Sequence, residues 1–262
     1  MGQVVLTDEI SFMSIGLLAA LEHIRLKGVR LIAFGDFGQL PLVSNRWRGC
    51  KVPHDTFERS NLFWHWSGGT RFVLRRCRRS DQAHFDFIKS LQDLEPAKAL
   101  EAAKARYPSR GKRAADWNLT LSNHKRRRIN SEMQPEAAVA TEDRVWIDGE
   151  TPFWCFAGTR LIGCNCTLRG IVNGAFLLVT RVSPEAVWLQ DEDTSGEELE
   201  VSAAQVAKQT RLRWALTLTS VQGRSLPGTV GIHDTSSRHF TAAHLYVALS
   251  KATHGANVTI CD

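Results

Sequence analysis

Two adjacent carboxylates, Asp8 and Glu9, close a short apolar run in the string VVLTDEIS. At the carboxyl end of a parallel strand such a pair faces the ligand crevice and can divide one task. One carboxylate can hold Mg²⁺ through its water shell while the other orients or deprotonates an attacking water. Taken alone, the pair is weak evidence and reads far more often as a solvated strand end. A second string, FGDFGQLP (34–41), puts Asp36 at another strand end, glycines where the backbone must turn tightly, and Gln39 shortly before Pro41. A third, LTSVQGRSL (218–226), follows Thr217 and offers the hydroxyls of Thr219 and Ser220 ahead of Gln222-Gly223. Small hydroxyls and free helix-start amides suit phosphate oxygens. Phe63, Trp64 and Trp66 could stack on bases, although clustered aromatics also serve as core.

The elements that must position these groups alternate between strand and helix. Residues 3–7 and 30–34 read as buried parallel strands. Between them, Ser11 can cap a helix with Ile15, Leu18, Leu21 and Ile24 on one face and Gly28 as its stop. The aromatic stretch 57–66 is compatible with helix or loop, 70–74 is β-like, and 81–91 and 95–105 read as helices. A Pro/Gly/Arg linker (107–115) leads to a strand over 118–122 and a basic helix from His124. The texture then changes to four β-like runs, 159–164, 171–182, 186–190 and 197–201, punctuated by Gly170, Gly174, Pro184 and an acidic turn. That spacing predicts a small antiparallel β-barrel inserted in an α/β domain. Strands over 214–218, 228–233 and 257–261 and a helix over 242–252 restore the α/β pattern.

In order and spacing, the strings named above, with LRRCRRSD (74–81) and LYVALSKA (245–252), resemble the motifs of superfamily 1 DNA helicases. The Pif/RecD-like group is the nearest pattern. The resemblance implies a RecA-like P-loop NTPase core: a partial first lobe, a second lobe and the inserted barrel. The corresponding divisions are 1–106 (the remainder of the first lobe and the start of the second), 107–157 (second lobe with basic linker), 158–212 (barrel) and 213–262 (the rest of the second lobe). It also implies ATP and Mg²⁺ as cofactors. Asp8 takes the metal and Glu9 the base role, Gln39 senses the γ-phosphate, and Arg78 and Lys251 reach the nucleotide from the second lobe. Arg75, Arg76 and Arg79 beside Arg78 leave its register open by one position. Lysine at 251 departs from the family's arginine and is expected to slow hydrolysis, because it offers a point charge in place of a planar fork. Gln222-Gly223 would bridge nucleotide and DNA. Thr217, Thr219, Ser220, Asn123 (in Ser122-Asn123) and Asn173 (in Asn173-Gly174) would line a track for single-stranded DNA or a forked duplex. Asn173-Gly174 also reads as a plain turn. Translocation from five-prime to three-prime, and roles in replication, recombination or repair, belong to the same implication.

No G-x-x-x-x-G-K-[ST] phosphate loop occurs in the 262 residues. The expectation is therefore a fragment that lacks the amide cradle and is inactive alone, its loop supplied by an upstream segment or a separate chain. The alternative is a catalytically silent module that binds single strands; a third is an interaction domain carrying relic motifs. Composition agrees with a polyanionic partner. The net charge is +6 and the pI near 9.2, with basic clusters at 74–79, 106–113 and 124–128. Six cysteines include no C-x-x-C pair; Cys164 and Cys166 form a lone C-x-C, which argues against zinc. The absence of a signal peptide or membrane-length apolar run points to an intracellular location, nuclear or another DNA-containing compartment.

Overall fold

The apolar run ahead of Asp8 forms strand β1 (Val4–Thr7) in a computed structural model that describes residues 3–40, 42, 45–109, 115–139, 143–149, 151–164, 171–194 and 196–261. Pro41, linker residues 110–114, Cys166 and Gly170 lie outside the described residues. Helix α1 (Ile15–Leu26) is capped by Ser14, whose hydroxyl accepts the Leu17 amide at 3.2 Å. Ser11, expected as the cap, is buried in a one-turn 3-10 helix (Ile10–Phe12), because the chain must first reverse after the left-handed Glu9. Strand β2 (Arg30–Ala33) pairs parallel with β1, Leu6 beside Ile32. A hairpin that the sequence reading missed follows, β3 (Arg46–Trp47) and β4 (Cys50–Lys51). Arg48 and Gly49 both have positive φ at its tip, as a twist-matched two-residue turn requires.

The aromatic stretch is helical, α2 (Asn61–Ser67). Phe57, Phe63 and Trp66 pack with Phe37 on Ile10 and Leu18, whereas Trp64 stays exposed. Residues 70–74 correct the sequence reading: they form no strand, and Phe72, Val73 and Leu74 are exposed. β-propensity makes a strand only where an edge is there to pair with.

Helices α3 (Gln82–Leu91) and α4 (Pro96–Arg106) lead to β5 (Trp117–Thr120), whose four residues are all buried. Helix α5 (Asn123–Val139) follows, and then an inserted β unit. The unit comprises β6 (Val145–Ile147), β7 (Phe153–Cys155), β8 (Arg160–Gly163), β9 (Phe176–Val182), β10 (Val187–Asp191), β11 (Leu199–Val201), α6 (Ala203–Gln209) and β12 (Thr210–Leu212). Strands β13 (Ala215–Thr217), β14 (Val230–Ile232) and β15 (Val258–Ile260), with helix α7 (Ala242–Ser250) before the last, complete the chain. The parallel sheet runs in the order β13-β5-β14-β15, covered by α3, α4, α5 and α7. This is the architecture of a RecA-like lobe.

The inserted unit is antiparallel as expected, in the order β11-β10-β9-β8-β12. Among the described residues no ladder joins β11 to β12, so the five strands make an open sheet where a closed barrel was anticipated. Hairpin β6–β7 and helix α6 complete its core through Ile147, Phe153 and Val206. The unit is locked to the parallel sheet by one buried guanidinium. Arg213 lies 4.9 Å from the Trp117 ring centre and 4.6 Å from that of Phe176, and those two rings stack at 5.2 Å. Its Nη2 donates to Glu192 at 2.5 Å. Asn130 of α5 bridges the chain crossing, donating to the carbonyls of Leu212 and Ala215 and accepting the Ala215 amide.

Two features carry tests. His84 is fully buried, with Nδ1 2.7 Å from the Tyr107 hydroxyl and Nε2 2.9 Å from the Leu249 carbonyl oxygen, so it ties α3 and the end of α4 to α7. Burial lowers its pKa below the ordinary 6.5. The unfolded chain therefore takes up this proton first. The associated stability is complete above about pH 6.5 and declines as pH falls from there towards the folded-state value. His84→Ala is expected to cost about 2–4 kcal/mol in chemical denaturation at pH 7.5 and to remove that part of the acid sensitivity.

The second feature is the face of the β1–β2 pair formed by Val4, Leu6 and Ile32, which is half or more exposed. Parallel sheets are ordinarily covered on both faces, so this surface favours association. The double substitution Leu6→Glu with Ile32→Thr should shift light scattering at high concentration towards monomer; unchanged scattering would clear this face.

Candidate functional site

The carboxyl ends of β1 and β2 sit together because the backbone is drawn tight there. The Phe34 amide donates to the Thr7 carbonyl at 2.8 Å and the Ile10 amide to the Phe34 carbonyl at 3.0 Å. A Cβ on Gly35 would lie 2.6 Å from Ile10 Cγ1, so only glycine permits this approach. Beyond β1, Glu9 adopts φ 54 and donates its amide to Asp8 Oδ1 at 2.8 Å. Asp36 is fixed between two partners. Its Oδ1 accepts the Gly38 amide at 2.9 Å, and its Oδ2 accepts the Tyr246 hydroxyl at 2.5 Å. Burial and the neighbouring Asp36 push the Tyr246 hydroxyl pKa up, so it stays a donor. Tyr246 is thus the link from α7 to the turn after β2.

A cleft of about 670 Å³ opens between this turn, the segment after β13 and the inserted sheet. Glu9, Gln39, Asn123, Asn173, Thr217, Thr219, Ser220, Gln222 and Gly223 all line it. These nine come from five separated stretches of chain. Gln222 donates to the Leu40 carbonyl at 3.3 Å, and its Oε1 is buried without a partner. A Cβ on Gly223 would stand 3.9 Å from Glu9 Oε1, which puts the Glu9 carboxylate against the Gln222-Gly223 backbone. Thr217 Oγ1 lies 3.2 Å from Thr219 Oγ1 and 3.1 Å from Ser220 Oγ, and Ser220 donates to the Thr217 carbonyl at 2.8 Å. The Asn173 turn fits closely against β8, where a Cβ on Gly163 would collide with the Val172 carbonyl oxygen.

The remaining sequence candidates fall elsewhere. Asp8 is exposed at the strand end and outside the cleft lining. Lys251, at the C-terminus of α7, is 1% exposed and sits behind the cleft. Burial is the main cause that lowers its pKa from 10.5 to about 8; Arg79 pushes the same way, while Glu9 and Asp36 oppose it. Arg78 is exposed, and it is Arg79 whose field reaches Lys251. Arg79 is exposed as well, so burial does not separate the two positions.

Two charged cleft residues escaped the sequence reading, Arg211 of β12 and Arg224. Arg224 follows Gly223 directly, and that adjacency was the available signal. It donates to the Gly174 carbonyl at 2.5 Å and to Asp193 at 2.6 Å, and lies over the Phe176 ring at 4.0 Å. It thereby joins the Gln222-Gly223 segment to the Asn173-Gly174 turn.

No family model matches this chain, and no curated protein matches it in sequence. Solved structures do. A Pif1 helicase from Candida albicans superposes with a TM-score of 0.65 at 18% identity, covering 99% of this chain and 72% of that one. A Pif1 structure addressing unwinding at forked double-stranded DNA gives 0.66 at 17%, covering 98% and 68%. A Bacteroides Pif1 helicase in complex with ADP-AlF3 and single-stranded DNA gives 0.61 at 16%, covering 99% and 70%. At these identities the agreement establishes the fold alone: the chain is folded like these Pif1 structures. Among the described residues no helix is long and apolar enough to cross a membrane.

The buried lysine carries a test. A drop to about 8 corresponds to about 3 kcal/mol against keeping that ammonium charged at neutral pH. Lys251→Met, which fills the same space without charge, is expected to raise Tm by several degrees at pH 7, with the gain shrinking as pH rises past 8. A lower Tm would mean that Glu9 and Asp36 already compensate the charge.

Proposed function

We propose that this chain binds a nucleoside triphosphate and single-stranded DNA across the cleft, as the working core of an ATP-dependent DNA helicase. One observation carries the reading: nine polar residues and glycines from five distant stretches line a single cleft between the β1–β2 segment, the parallel sheet and the insertion.

The residues fit the nucleotide. Lys251 and Arg79 place positive charge beside Glu9 and Asp36, and the buried Gln222 Oε1 has no partner within the protein. A polyphosphate would satisfy the Lys251 ammonium, which burial otherwise holds at a cost. Asp8, exposed and acidic at a strand end, would hold Mg²⁺ through water, and the bound nucleotide would supply the phosphoryl group that is hydrolysed. Glu9 would orient water, and Gln39 and Gln222 would register occupancy towards the DNA side. The hydroxyls of Thr217, Thr219 and Ser220, with Asn123 and Asn173, would receive phosphates and sugars of the strand. Movement from five-prime to three-prime, and use in repair or recombination, extend the same proposal by analogy of fold.

A second reading, a silent single-strand-binding module, is favoured by one fact: the sequence holds no G-x-x-x-x-G-K-[ST] string to wrap the β- and γ-phosphates. Two measurements on the intact chain decide. Oligothymidylate binding should weaken about 10- to 100-fold between 50 and 200 mM salt, as contact with a few phosphates demands. ATP hydrolysis stimulated by that oligonucleotide, and abolished by Glu9→Gln, supports the motor. Binding without hydrolysis selects the silent module, and neither activity overturns both readings.

A further inference from the structure

A second cavity, of about 420 Å³, lies between the 3-10 turn after Glu9, the stretch following β2 and the start of the segment after β13. Its walls are mainly apolar, among them Met13, Phe37, Leu40 and Leu42. Phe37 is held edge-on by Phe63, with ring centres 5.5 Å apart. Ser11 also lines the cavity. It is 9% exposed, and its hydroxyl has no partner. A buried hydroxyl with nothing to bond is costly unless a ligand or water completes it. The exposed ammonium-bearing Lys51 stands at the wall as well. Thr219 belongs to both cavities, so the hydroxyl cluster of the first runs directly into the second.

The geometry points to a pocket that receives one unstacked nucleobase of the bound strand. This inference rests on the nucleic-acid reading above and adds a specific subsite to it. The volume lies within the range of about 300–1,000 Å³ typical of small-molecule sites, and an apolar chamber with a few polar groups is the composition such sites show. A nucleobase has two flat apolar faces and a rim of donors and acceptors. The faces match Phe37, Leu40 and Leu42; the rim meets the Ser11 hydroxyl. With its sugar-phosphate at Thr219, the nucleotide is joined to the strand in the main cleft, and Lys51 balances its phosphate charge. Aromatic and aliphatic stacking is indifferent to base identity, so the pocket fixes the position of the strand without reading its sequence.

The test moves a single abasic residue along a fluorescent oligothymidylate and measures the affinity of the intact chain at each position. One position is expected to lose about five- to tenfold, the others less than twofold. Ser11→Ala should weaken the intact oligonucleotide about threefold and leave the one abasic at that position unchanged. Leu42→Trp, which fills the chamber, should level all positions. As a readout independent of any variant's folding, 2-aminopurine at the sensitive position should change its emission on binding more than at neighbouring positions. Equal losses at every position, with uniform 2-aminopurine response, overturn the pocket and leave the nucleic-acid reading standing. No binding of any oligonucleotide overturns both.

Discussion

Everything in the cleft depends on what helix α7 turns towards the β1–β2 segment. Tyr246 donates to Asp36, and Lys251, one helix-end away, is buried where the fields of Glu9 and Asp36 meet it. Two carboxylates on one side and two cations, Lys251 and Arg79, on the other leave the joint without a surplus of either sign. Such an arrangement has little net attraction of its own after desolvation. It is held by the shape of its surroundings: the Leu40 side chain buried in the second-lobe core, and the Gln222 amide donating to the Leu40 carbonyl. The electrostatics make the joint sensitive to an added polyanion, while the packing keeps it in register.

The inserted sheet is coupled to the same joint through arginine stacking. Arg213 and Arg224 both approach the Phe176 ring, and Phe176 in turn lies on Trp117 of the central parallel strand. Arg213 is buried, so its Glu192 partner matters more than a surface pair would. Arg224 is partly exposed and holds Asp193 and the Gly174 carbonyl. A strand lying along Asn173 would therefore bear on a turn that is itself fastened to Gln222-Gly223. That gives a short physical route between the insertion and the nucleotide side of the cleft.

Much of this was legible in the sequence. Parallel strands ending in acids, the glycine-bounded turn after β2 and the Gln222-Gly223 segment are local patterns, and local patterns survive into structure. Nine of the residues lining the cleft were nominated from short strings of sequence. What stayed hidden depended on tertiary partners. Residues 70–74 had strand-like composition and no edge to join. Nothing in the sequence around Tyr246 announces Asp36, 210 positions away. The hairpin at Arg48-Gly49 was missed because strands of two residues are too short for any periodicity to register.

The lysine at 251 becomes intelligible in the same terms. Arginine keeps its charge at any accessible pH, so in a site this buried it would need a permanent counter-charge. Lysine with a pKa lowered to about 8 stays charged at neutral pH but can shed its proton above that value. The planar fork is lost, and with it the two-point grip on a phosphate. What is gained is tolerance: a joint whose cation titrates near neutrality can close without ligand at modest cost.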